Sequence, residues 1–115
     1  MLRTFNESPF LDKFEKKEHE KPRVSVILPA RNEEKFIEKC LNSLLNQDYD
    51  NYEIITINDS STDSTGNIIK EYSKKFPKII SVDAKPKPDG WIGKNWACIE
   101  GYKKASGDLL LFTDA

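Results

Sequence analysis

The sequence predicts an α/β fold built on a parallel sheet, and three observations carry the prediction. Short β-branched or apolar runs alternate with segments whose apolar residues recur at helical spacing. The alternation passes through three strand-helix units and closes on a fourth strand, the pattern of parallel strands joined by right-handed crossovers. The last run, Leu109, Leu110, Leu111 and Phe112, is apolar throughout, as expected of a strand covered on both faces.

Taken in order, residues 24–28 form a β-branched apolar strand that Pro29 stops, and Ile37, Leu41, Leu44 and Leu45 follow at helical spacing. Residues 52–57 read as a second strand, and Ile68, Ile69, Tyr72 and Phe76 mark a second helix that ends before Pro77. A third strand covers 79–82. After a connection containing Pro and Gly, the small residues Ala97, Gly101 and Ala105 form a stripe that lets a third helix lie close on the sheet, with Gly107 stopping it. The fourth strand is 109–112.

A chain of 115 residues is one domain or part of a larger one. Residues 12–23 carry nine charges of mixed sign, so the organised part is expected over 23–115, with 1–22 a charged tail or short helix in which Phe5, Phe10, Leu11 and Phe14 are the apolar positions. Eighteen Lys and Arg against 19 Asp and Glu give a net charge of −1, which argues against an electrostatic nucleic-acid binder. No window is long and apolar enough for a membrane span. Cys40 and Cys98 have no Cys or His at metal-ligand spacing and read as reduced core residues of a cytoplasmic protein. His19 lies within the charge run and reads as solvated.

In open sheets of this type ligands bind beyond the carboxyl ends of the strands, so chemistry is sought there. The first end, Pro29-Ala30-Arg31-Asn32-Glu33-Glu34, has no glycine-rich phosphate loop. Asn32 suits a helix cap and the two glutamates complement the helix dipole; alternatively Arg31 and the backbone after Pro29 line a nucleotide pocket. At the second end Asp59 precedes the capping group Ser60 to Ser64, and a carboxylate there would accept the ring N–H of uracil or guanine.

The third connection, over 83–96, is long enough to suggest function. Its glycines permit close backbone approach, and Lys94 opens the next helix, so a diphosphate would meet both an ammonium and a positive dipole end. Trp91 either offers a flat face to a sugar or lipid or pins the loop to the core. At the fourth end Asp114 alone is a weak signal; a second acid two positions on would make a site for a hard cation.

Four stretches together resemble the inverting family 2 glycosyltransferases, whose GT-A (Rossmann-like) fold binds nucleotide-diphospho-sugars. They are Val-Ser-Val-Ile-Leu-Pro-Ala-Arg-Asn-Glu at 24–33, Asn-Asp-Ser-Ser-Thr-Asp at 58–63, Gly-Trp-Ile-Gly-Lys-Asn-Trp-Ala at 90–97 and Leu-Leu-Leu-Phe-Thr-Asp-Ala at 109–115. The third looks most like the subgroup with hopanoid and carotenoid glycosyltransferases, whose acceptors are hydrophobic. The resemblance implies a nucleotide pocket at Pro29, Ala30, Arg31 and Glu33, with Asp59 on the base and Lys94 on the diphosphate. It makes Asp114 the first acid of an Asp-x-Asp motif holding Mg²⁺ or Mn²⁺. Asn58 departs from the Asp that many members carry.

By the same resemblance, the donor is a UDP- or GDP-sugar and the acceptor is lipid-like, with the working protein at the inner membrane face. The motif's second acid, the general base and the acceptor half are expected beyond Ala115, leaving 23–115 as a truncated donor-binding half-domain. Such a chain is expected to be inactive alone and to self-associate through the surfaces so left. The competing reading, from another class, is a non-catalytic nucleotide-binding or interaction module.

Overall fold

The computed structural model describes residues 21–115, so the expectations for the tail, including His19, fall outside the described residues. Four strands, β1 (Val24–Ala30), β2 (Tyr52–Asn58), β3 (Ile79–Asp83) and β4 (Leu109–Phe112), alternate with three helices, α1 (Ile37–Leu45), α2 (Thr65–Lys75) and α3 (Gly93–Tyr102). The sheet is parallel throughout, in the order β3-β2-β1-β4, with Val26 opposite both Ile54 and Leu111. The first strand is therefore central.

Alternation along β1 divides the core between the two faces of the sheet. Val24, Val26, Leu28 and Ala30 join Ile37, Leu41 and Leu44 of α1 and Ile69 of α2 on one face. Ile27 joins Ile55, Ile57 and Ala97 of α3 on the other. Gly101 allows α3 to lie this close, since a Cβ there would stand 2.5 Å from Ile57 Cδ1.

The structure corrects the sequence reading of β1, β4 and α3. Pro29 does not end β1, which runs on to Ala30. The Ile27 carbonyl faces β4 and accepts from Thr113 N–H at 3.0 Å, so by alternation the donor missing at Pro29 falls on the same side, beyond the end of β4. The fourth strand is not covered on both faces: Leu109 and Leu111 pack on the first cluster, whereas Leu110 and Phe112 are 37% and 52% exposed. The reason is that α3 lies over β1 and β2, leaving that side of β4 open. Helix α3 also stops at Tyr102, so Ala105 packs against the second cluster from the following turn.

Glu53 closes the amino-terminal end of the sheet. Its carboxylate accepts from the Ser25 hydroxyl at 2.6 Å, from the Ser106 N–H at 2.7 Å and from the Ser106 hydroxyl at 2.9 Å, and it pairs with Arg23 at 3.2 Å. Burial alone would raise its proton affinity; these hydrogen bonds and the guanidinium outweigh burial and hold it below the ordinary value. The loop into β4 is thereby tied to β1 and β2 far from the strand ends that carry the candidate chemistry.

Candidate functional site

The carboxyl ends of β1, β2 and β4 and the start of α3 enclose an open cleft of about 520 Å³. From β1 and the residues after it come Pro29, Ala30, Arg31 and Glu33. Asp59 follows β2, Lys94 sits in the first turn of α3, and Asp114 follows β4. Gly93, one of the two glycines of the long connection, and Ala115 complete the lining. Gly93 has no side chain and Ala115 packs against the first core cluster, so side-chain chemistry gives no signal for either.

Trp91 is not among the lining residues. Its ring meets Trp96 edge-on at 5.5 Å between centroids while remaining 42% exposed, so the loop tryptophan rests on α3 beside the cleft. The loop itself is held by α3: the Trp96 indole N–H donates to the Lys85 carbonyl at 2.8 Å, and buried Glu100 accepts from the Lys85 N–H at 3.3 Å.

The loop after β1 is fastened to the loop after β2 by a reciprocal set of hydrogen bonds. The successive N–H groups of Asn32, Glu33 and Glu34 donate to Ser61 Oγ at 3.0 Å, Thr65 Oγ1 at 2.8 Å and Asp63 Oδ2 at 3.3 Å. In return Asn32 Oδ1 accepts from Thr62 N–H at 2.8 Å and Glu34 Oε2 accepts from Ser64 N–H at 3.1 Å. Asn32 and Ser60 take left-handed backbone, with φ of 52° and 58°.

Asn32 is thus not the cap of α1, which begins at Ile37; its amide serves the neighbouring loop. The three successive amides of residues 32–34 are therefore engaged within the protein and do not form an anion cradle. The Thr65 hydroxyl, at 2.5 Å, is the main reason that the Asp63 carboxyl lies below its ordinary value. Asn58 is equally engaged in structure, accepting from Ser61 N–H at 3.1 Å and donating to Asp83 at 3.4 Å.

The strand-end carboxylate Asp59 is left available by this arrangement. Its backbone N–H donates to the Ala30 carbonyl at 2.9 Å, fixing the residue at the junction of β1 and β2. A Cβ added at Gly93 would stand 3.4 Å from Asp59 Oδ2, so the base of α3 and this carboxylate share one wall of the cleft. From the next residue of the same helix, Lys94 Nζ forms an ion pair with Asp114 Oδ1.

Beneath Asp114, the Cys40 thiol donates to its carbonyl at 3.8 Å. Burial, then the nearby Asp114 and Glu33 carboxylates, push this thiol up to about 11, so it is protonated at neutral pH and is no nucleophile. Cys98 is half-buried, and both thiols are free.

Among the described residues no three His, Cys, Asp or Glu side chains gather as a metal-holding group. A Mg²⁺-like ion does not require one, because it is commonly bound through one or two carboxylates together with substrate phosphates and water. Asp114 would supply one such carboxylate, and the helix start and lysine beside it would suit the phosphates that share the cation. No described helix is long and apolar enough to cross a membrane.

Comparison with known proteins agrees with this architecture. The family described as Glycosyl transferase family 2 matches residues 25–115. Over 98 residues the chain is 42% identical to the probable glycosyltransferase YdaM of Bacillus subtilis (strain 168), covering 84% of this chain and 23% of that one. Among solved structures, S. aureus TarS 1-349 in complex with UDP-GlcNAc matches with a TM-score of 0.64 and 34% identity, over 80% of this chain and 26% of that one. The mannosyltransferase PcManGT from Pyrobaculum calidifontis, in complex with GDP-Man and Mn2+, matches with a TM-score of 0.69 and 28% identity, over 81% and 27%. The chain thus spans about a quarter of the length of these proteins.

Proposed function

Because the chain belongs to glycosyl transferase family 2, we propose that its cleft binds the nucleotide-activated sugar of a glycosyl transfer and that residues 23–115 are the donor-binding half of that enzyme. The observation that carries this reading is the convergence of Arg31, Asp59, Lys94 and Asp114 on one cleft, from three strand ends and a helix start. Relatives in complex with UDP-GlcNAc and with GDP-Man and Mn2+ support a UDP- or GDP-sugar as donor.

In this reading Asp59, an acceptor-only carboxylate, takes the ring N–H of uracil or guanine. Pro29, Ala30, Arg31 and Glu33 form the wall against the nucleoside. The free N–H groups at the start of α3 and the Lys94 ammonium receive the diphosphate, where both favour negative charge. A Mg²⁺ or Mn²⁺ ion shared between Asp114 and the diphosphate would supply further positive charge to the departing nucleoside diphosphate.

The reaction is inverting. The base that deprotonates the acceptor hydroxyl, and the acceptor's own site, come from outside residues 1–115, so this chain alone binds donor without transferring sugar. Trp91 and Ile92, 42% and 69% exposed beside Gly93, support a hydrophobic, lipid-like acceptor approaching from that side. Leu110 and Phe112 on the edge strand β4 form the surface through which the chain self-associates.

Calorimetric titration with UDP, GDP, CDP and ADP in the presence of Mn²⁺ tests the donor assignment. UDP or GDP is expected to bind at least about tenfold more tightly than CDP and ADP, the effect of one selective charge-assisted hydrogen bond. Equal binding of all four would overturn the assignment of Asp59. Sugar transfer by residues 1–115 alone would overturn the division of labour.

A further inference from the structure

Lys94 and Asp114 are brought together by the fold alone, one from the first turn of α3 and the other from just past β4, and no packing imprisons either. Their side chains are 60% and 64% exposed, and the ion pair joins Lys94 Nζ to Asp114 Oδ1. The same carboxylate is the acid that the donor-binding reading gives to a shared divalent cation, and the same ammonium lies where a diphosphate would meet the start of α3. In the resting cleft the two groups therefore satisfy each other.

We propose that Lys94 is a placeholder cation: it occupies Asp114 until the donor's diphosphate draws it away, which makes cation binding and nucleotide binding mutually dependent. This rests on the donor-binding reading of the cleft given above. The charge arrangement carries it. A lysine ammonium on a flexible four-carbon stem can change partners without moving the backbone. A diphosphate bears more negative charge than one carboxylate, so Lys94 follows the larger charge and leaves Asp114 free for the divalent cation.

Without nucleotide the incoming cation has to displace an ammonium, and it gains few protein ligands in return. With nucleotide bound, Asp114 is vacated and phosphate oxygens are added to the cation's shell. Linkage then requires that the cation raise nucleotide affinity by the same factor. The consequence is a cleft that takes up cation and nucleotide as a unit and holds neither strongly alone.

Mn²⁺ binding measured by the loss of the free-ion EPR signal tests this without any turnover. The protein is compared with its Lys94→Met, Lys94→Arg and Lys87→Met variants, each with Mn²⁺ alone and with Mn²⁺ plus UDP or GDP. Lys94→Met is expected to bind Mn²⁺ alone about two- to fivefold more tightly than the unaltered protein, the range spanned by exposed ion pairs. Lys94→Arg and Lys87→Met should match the unaltered protein, the latter because a loop lysine outside the cleft lining contributes only general charge. The enhancement of Mn²⁺ affinity by nucleotide should be smaller in Lys94→Met than in the unaltered protein.

Equal or weaker binding of Mn²⁺ alone by Lys94→Met overturns the placeholder role. So does an equal gain in Lys87→Met, which would reduce the effect to net charge. The metal-only comparison decides the proposal even if neither nucleotide binds, and that separate failure would instead remove the donor-binding reading. Circular dichroism of each variant confirms that the fold is retained.

Discussion

The Trp96 indole N–H donates to the Lys85 carbonyl at 2.8 Å, so the helix that follows the long loop also fastens the loop's beginning. Glu100, one turn further along α3, receives the N–H of the same Lys85 residue at 3.3 Å. Both backbone groups of Lys85 are thus engaged by α3, and the intervening stretch up to Gly93 is a closed strap standing beside the cleft.

Releasing this strap is the first prediction. Trp96→Phe keeps most of the ring but loses the donor, and should lower stability by up to about 1 kcal/mol, because the bond is solvent-accessible. Chymotryptic cleavage after Trp91 should accelerate by more than that global loss accounts for. Cleavage that tracks only the change in urea midpoint would show that the hydrogen bond does not restrain the loop.

Asp59 provides the second. If its carboxylate accepts the ring N–H of the base, Asp59→Ala removes a charge-assisted hydrogen bond of about 1.5 to 3 kcal/mol and weakens UDP or GDP binding roughly 10- to 150-fold. CDP binding, weak from the start, should barely change. Parallel losses for all nucleotides in calorimetry would assign Asp59 a structural role at the base of α3.

The third concerns acid stability. The folded state holds the Glu53 carboxyl below its ordinary 4.5, so the unfolded chain takes up the proton more readily as pH falls. Glu53 accordingly contributes stability that is fully present above pH 4.5 and is lost as pH drops through the depressed native value. Glu53→Gln should cost about 1.5 to 3 kcal/mol at pH 7, the worth of hydrogen bonds to a charged group. Urea titrations repeated at descending pH should show that difference shrinking below pH 4.5; a constant difference would place its origin in shape and not in charge.

Thr56 supplies the fourth. Its hydroxyl is buried in the middle of β2 with no hydrogen-bond partner among the described residues. Thr56→Val exchanges an unsatisfied polar group for a methyl of similar size and should stabilise the fold by about 1 kcal/mol. A loss of stability in thermal or urea unfolding would reveal a partner for the hydroxyl in solution.

The sequence by itself determined the order and type of the elements, because those depend on properties local to the chain. The periodicity of Ile37, Leu41 and Leu44 and the β-branched runs of β1 and β2 fix one helix and two strands by which residues can be covered together. Parallel pairing then follows from alternation, and with it the gathering of Arg31, Asp59 and Asp114 at one edge of the sheet. Even the absence of a phosphate cradle after β1 was legible, from the missing glycines.

Only the tertiary structure decided which of these groups are free and which are engaged. Asn32 has the chemistry of a cap, yet its amide is taken by Thr62, which lies 30 residues further along and is brought beside it by the register of β1 on β2. Trp91 turns to Trp96 and leaves the cleft wall. Leu110 and Phe112, apolar like their neighbours, remain exposed because α3 crosses β1 and β2 instead of β4. The Lys94 and Asp114 pair could not be read from spacing either. Contacts between residues remote in the chain depend on strand register and on where each helix crosses the sheet, and those are settled by packing of the whole, not by any local pattern.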